Sequence, residues 1–179
     1  DEIVERRVKF LTDYQDAAYA ERYSALVAKV REAEARTMPG ITELTEAVAR
    51  YYFKLLAIKD EFEVARLYTD TDFLSRVATQ FEGDYKLNFH LAPPLLARPD
   101  PATGQIRKMQ FGPWMLPVFR ILAKLKGLRG TPLDIFGYTA ERRSERAQIA
   151  EYEALVDEVL TRLSADNHAV AVELARLPQ

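Results

Sequence analysis

The sequence predicts a mainly α-helical fold, a bundle-like domain with a small two-stranded β-hairpin around residues 86–111. Two observations carry this. Residues 1–38, 41–82 and 139–177 contain neither glycine nor proline, and their apolar residues recur at three- and four-residue spacing, as helices with one buried face require. Six of the seven glycines and seven of the nine prolines fall between Gly83 and Gly137, which confines the turns and any sheet to that stretch.

The elements follow in order. Val4, Val8 and Leu11 begin an apolar stripe that Tyr19, Tyr23, Leu26 and Val30 continue, and acidic residues lead it, as the helix dipole favours. The stripe shifts near Asp16, which marks a bend or a junction of two helices. Met38-Pro39-Gly40 ends the tract, because proline lacks a donor and glycine is permissive. A second helix is expected from an N-cap at Thr42, with Leu44, Val48, Tyr52, Leu55, Phe62 and Ala65 on its buried face. Tyr51, Phe53, Leu56 and Ile58 broaden that face and make it the central helix. Asp70 or Thr71 caps a shorter helix carrying Phe73, Leu74, Val77 and Phe81.

Residues 86–91 alternate polar and apolar, the period of a half-buried strand, and 106–111 supply a weaker partner. Two strands alone are unstable, so the hairpin must lie on the helices or pair with another sheet edge. Gly112-Pro113-Trp114 restarts a helix whose inward stripe is Trp114, Val118, Leu122 and Leu125, ended by Gly127. Thr139 caps the next helix, lined by Ile149, Tyr152, Val156, Val159 and Leu163. Ser164 or Asp166 caps a last helix over 167–177. Residues 1–38 read as an N-terminal helical segment at a junction to an upstream domain, and 41–179 as a helical accessory domain packing with it as one unit.

Composition excludes several chemistries. At 179 residues, 48% hydrophobic and 29% charged, the chain can bury a sizeable core and is not disordered. The absence of cysteine removes disulfides, iron–sulfur ligation, thiolate zinc sites and cysteine nucleophiles together. A formal charge of −2 gives no global attraction for nucleic acid. No segment approaches the ~18 apolar residues of a membrane span, and no signal peptide leads the chain, so a cytoplasmic protein without a membrane partner is expected. The opening Asp1-Glu2-Ile3, without Met, reads as part of a longer protein.

Chemistry-bearing motifs are few. No GxGxxG, P-loop, GxSxG or HExxH pattern occurs. His90 and His168 are far apart and read as surface or hydrogen-bonded residues. Asp70-Thr71-Asp72 has the form of a metal-binding DxD, but a helix cap needs the same residue types. Glu61 and Glu63 are expected on a solvated helix face. No metal ligand and no catalytic residue is therefore expected. Tyr51, Tyr52, Phe89 and Trp114 either line a small-ligand pocket or, with fewer assumptions, pack in a core.

Charge is segregated. Residues 107–146 hold nine basic and three acidic residues, a surplus of six positive charges, against minus eight for the remainder. Arg107, Lys108, Lys124, Lys126, Arg129, Arg142 and Arg143 are the candidates for an interface or for phosphate contact. The plainer use, for Lys124 and Lys126 above all, is to complement a helix C-terminus. Arg142, Arg143 and Arg146 sit at a helix start, oppose its dipole, and should have acidic partners outside that helix.

Residues 52–69 (YFKLLAIKDEFEVARLYT), 87–101 (LNFHLAPPLLARPDP) and 111–146 (FGPWMLPVFRILAKLKGLRGTPLDIFGYTAERRSER) together resemble the C-terminal domain of fused indolepyruvate ferredoxin oxidoreductases. The opening VKFLTDYQDAAYAERY is similar to the stretch where that domain follows a 2-oxoacid oxidoreductase gamma-type domain. The resemblance implies a parent enzyme that oxidatively decarboxylates arylpyruvates to acyl-CoA and reduces ferredoxin, with thiamine diphosphate and iron–sulfur clusters in upstream domains. It attaches no catalytic residue and no cofactor to this segment, and it implies contact with the catalytic domains of the same chain and a homodimeric parent. The alternative reading is a stand-alone helical protein-interaction or regulatory module.

Overall fold

Asp16 sets the first joint. Its backbone is extended (φ −163°, ψ 177°) and its carboxylate accepts the Tyr19 N–H at 2.8 Å, which ends α1 (Glu2–Tyr14) and starts α2 (Ala17–Thr37). The shift in the stripe is thus a junction of two helices in the computed structural model, which describes residues 2–92 and 107–178. After α2 the chain reverses at Gly40, whose φ of +86° suits a residue without Cβ, and enters α3 (Glu43–Leu56).

The long second helix expected from the sequence is two. α3 stops at Leu56, and the Asp60 carboxylate accepts the Glu63 N–H at 2.9 Å to begin α4 (Glu61–Thr69). A side-chain acceptor here offers the backbone an alternative to continuous helix, so Phe62 and Ala65 belong to α4. α5 (Phe73–Gln80) follows, with the Thr71 hydroxyl accepting the Phe73 N–H at 3.2 Å. β1 (Phe89–Leu91) and β2 (Met109–Phe111) pair antiparallel with Phe89 opposite Phe111, His90 opposite Gln110 and Leu91 opposite Met109. The start of the expected second strand, at Ile106, lies outside the described residues. Then come α6 (Met115–Lys124), a 3-10 turn at Lys126–Leu128, α7 (Ala140–Arg162) and α8 (His168–Ala175). The fold is mainly helical, with eight α-helices and one two-stranded antiparallel sheet among the described residues.

The chain divides into two compact units, one made of Asp1–Ile58 with Ala140–Gln179, the other of Lys59–Thr139. Pro39 and Gly40 lie inside the first unit. The reason is packing: the stripes of α1 and α2 share one core with α3, α7 and α8, through Leu11, Val27, Val30, Leu44, Val48, Leu56, Ile149, Val156 and Val172. α2 and α3 run antiparallel, because the Tyr19 hydroxyl donates to the Leu56 carbonyl (3.0 Å) and Tyr23 to that of Ala49 (3.1 Å). The Tyr23, Tyr52 and Tyr152 rings stack in series at 6.0 and 5.9 Å, which makes α3 the centre of this unit.

The second unit has its own core of Ala65, Phe89, Phe119 and Ala123. Tyr68 stacks on Phe119 at 5.3 Å and meets Phe89 edge-on at 5.1 Å, so the hairpin lies on helices, one of its two expected supports. α6 faces differently from the sequence expectation. Phe119 and Ala123 are its buried residues, while Trp114 and Leu125 are exposed. Apolar residues occur all round this helix, and a stripe read from spacing cannot choose between two apolar faces.

Candidate functional site

The buried polar residues form the most structured chemistry in the molecule. Glu34, 1% exposed, ends a row that Tyr23, Val27 and Val30 begin, so α2 carries a carboxylate into the core at a stripe position. There Oε1 accepts the Leu44 N–H at 2.7 Å, and Oε2 accepts the Thr45 N–H at 2.8 Å and the Thr45 hydroxyl at 2.6 Å. The carboxylate thus caps α3 from a neighbouring helix, where Thr42 makes no capping bond and instead donates to Glu46 at 2.8 Å. His168, 5% exposed at the start of α8, lies 2.7 Å from Glu34 Oε1 through Nε2. Burial alone would raise the Glu34 pKa, but the bonds from Thr45, His168 and Leu44 outweigh it and hold the carboxyl below the ordinary range.

A second cluster joins α2, α3 and α7. Arg22 reaches Glu153 with Nε at 2.6 Å and Nη2 at 2.8 Å, and the Tyr52 hydroxyl donates to Glu153 Oε1. Burial again opposes ionisation of Glu153, and the bonds from Arg22 and Tyr52 prevail, so its pKa is lowered. Burial, then the hydrogen bond to Glu153, raises the Tyr52 pKa; burial raises that of Tyr152, whose hydroxyl donates to the Ala175 carbonyl at 2.8 Å.

In the second unit Arg129 grips Asp60 with Nε at 2.5 Å and Nη2 at 2.8 Å, both side chains buried, and its guanidinium stacks 5.5 Å from the Phe62 ring. Glu63 and Arg66, one helical turn apart, form a second buried pair with both contacts at 2.8 Å. Glu63 is therefore not on a solvated face: the helix turns it inward, where Arg66 neutralises it. Asp134 accepts the Gly130 and Gly137 N–H groups at 3.0 Å each, which fixes the turn whose Gly130 has φ +81°.

The seven sequence candidates fall in both units. Arg107, Lys108, Lys124, Lys126 and Arg129 belong to the second unit, Arg142 and Arg143 to the first. Arg107, Lys108, Lys124 and Arg143 are exposed and Lys126 is half-buried. Arg129 holds Asp60 in the interior, and Arg142 pairs with Glu145 at 2.6 Å on its own helix rather than only outside it. An i,i+3 acid is within reach of a guanidinium there, which suffices to offset the dipole. Of the four aromatics, Tyr51 and Tyr52 belong to the first unit and Phe89 and Trp114 to the second. His90 is exposed, opposite Gln110.

Among the described residues no group of three His, Cys, Asp or Glu could hold a metal ion. The first unit bears an open groove of about 350 Å³ lined by Leu55, Tyr152, Leu155 and Leu177 with Gln148, Glu151 and Pro178. None of the described helices is long and apolar enough to cross a membrane. Reading from spacing missed Glu34, Asp60 and Arg66; the signal for Glu34 was present, an acid at the fourth place of the row 23, 27, 30, 34. Residues 1–179 match a family described only as a family of unknown function, DUF6537. No curated protein and no solved structure matches the chain.

Proposed function

We propose that this chain, which belongs to the DUF6537 family, serves as a non-catalytic accessory domain of an indolepyruvate ferredoxin oxidoreductase in the cytoplasm. One observation within the fold supports it. Each of the eight buried polar or charged residues among those described has a hydrogen-bonding partner inside its own unit: Glu34, Thr45 and His168 in one, Asp60, Glu63, Arg66, Arg129 and Asp134 in the other. Bonds of this kind tie helix to helix at Glu34 and helix to turn at Asp60, which is structural work. The identity of the parent enzyme rests on the sequence resemblance over 52–69, 87–101 and 111–146.

In this role thiamine diphosphate, iron–sulfur clusters and CoA belong to the parent, and its oxidative decarboxylation of arylpyruvates takes place in upstream domains. The domain packs with those catalytic domains and supports a homodimer. Arg107, Lys108, Lys124 and Arg143, exposed to solvent, are the cations open to such contact or to CoA phosphates. Two measurements test the reading. The reading frame encoding the chain is expected to continue upstream into thiamine diphosphate and cluster-cysteine motifs. The purified chain is expected to be colourless and inactive toward indolepyruvate with CoA and an electron acceptor. Turnover by the chain alone, or a frame without those motifs, overturns it.

A further inference from the structure

The outer face of α6 is apolar in a way its packing does not use. Phe119 and Ala123 are buried on the inner side, yet Trp114 (60% exposed), Ile121 (61%) and Leu125 (39%) lie outward. At 100° per residue these three fall within about 40° of one line, with exposed Pro117 beside them. Large apolar side chains gathered on the exposed face of a helix mark a surface suited to docking. Arg120 and Lys124, one turn apart and both exposed, run along a single edge of the stripe, next to Pro117. Neither makes an ion pair among the described residues.

The charges say which partner fits. α6 carries no acid, so two copies packed α6 against α6 would set Arg120 and Lys124 against like charges. An anionic membrane surface is disfavoured because the stripe is edged by two cations on one ten-residue helix, short of the ~4–8 clustered Lys or Arg by which a helix holds anionic lipid. We propose that the Trp114–Ile121–Leu125 face of α6 docks an amphipathic helix of another polypeptide segment, apolar along its centre and acidic along the edge that meets Arg120 and Lys124. The proposal does not depend on which enzyme the chain serves.

Trp114 makes the test direct, because it is the single tryptophan of the chain and stands on the face itself. The full chain is titrated with a tryptophan-free designed helix bearing leucines on one stripe and glutamates along one edge, while Trp114 emission and its quenching by acrylamide are read. A saturable blue shift with protection from quenching is expected, weakened at least ~10-fold by Ile121→Asp and by the pair Arg120→Glu and Lys124→Glu. Added salt is expected to weaken it too. The same leucine stripe edged with lysines should leave the emission unchanged. Equal responses to both peptides, or none, overturn the proposal. So does a shift produced by anionic phosphatidylserine vesicles but not by the acidic peptide. A shift that depends only on the concentration of the chain points to a second copy and overturns it as well.

Discussion

Glu34 shows how one side chain can hold three helices. Its carboxylate replaces the missing cap of α3 and meets His168 of α8 while standing on α2. Glu34→Ala leaves the Leu44 and Thr45 N–H groups buried without an acceptor, and a loss on the order of 2–4 kcal/mol is expected in urea unfolding. A loss below about 0.5 kcal/mol would mean the knot is incidental. The pH dependence has a definite sign. Glu34 and Glu153 both ionise more readily folded than unfolded, so their contribution is complete above the ordinary carboxyl value of 4.5 and is lost as pH falls below it. Tyr23, Tyr52 and Tyr152 behave oppositely: their raised pKa values stabilise the fold below pH 10, and that stabilisation declines above it. Melting temperature is therefore expected to fall at both ends, and Glu34→Gln should flatten the acid limb. An acid limb unchanged in that variant would remove Glu34 from this account.

At the scale of elements, α6 gives the sharpest contrast between neighbours in sequence. Phe119→Ala removes a ring packed between Tyr68 and Phe89, and a cost of about 3–5 kcal/mol is expected. Ile121→Asp, two positions on and outward-facing, should leave the melting temperature nearly unchanged. The reverse order would place the buried face of α6 where spacing first suggested. The comparison also explains what was legible in the sequence. In α1, α2 and α7 one face is polar, so the rows through Leu11, Tyr23 and Tyr152 identify the core unaided. In α6 both faces are apolar, and only the rings of Phe89 and Tyr68 on neighbouring elements decide which turns inward. Helix ends were legible where a local side chain sets them, as at Asp16. Where the acceptor comes from elsewhere, as Glu34 does for α3, Thr42 looked like the cap and was not. The pair Asp60–Arg129 spans sixty-nine positions, a separation no local pattern records.

At the scale of the whole molecule, the division into two units predicts separable stabilities. The first unit is discontinuous in sequence: the chain leaves it after Ile58 and returns at Ala140. Removing residues 140–179 takes away Tyr152 and His168, and with them one side of the Tyr52 ring and a partner of Glu34. Hydrogen exchange of the shortened chain is expected to show α2 and α3 unprotected, while α4 and α6 keep their protection. Simultaneous loss in both would show that the units do not hold independently. The same discontinuity bears on the birth of the protein. A ribosome emits α1 to α3 first, then all of the second unit, and only then α7 and α8. At about 5–20 residues per second, the eighty-one residues from 59 to 139 take several seconds. Throughout that interval the face of Tyr52 that Tyr152 will cover stays open, a window in which a chaperone could hold it or a neighbouring nascent chain could supply the wrong helix.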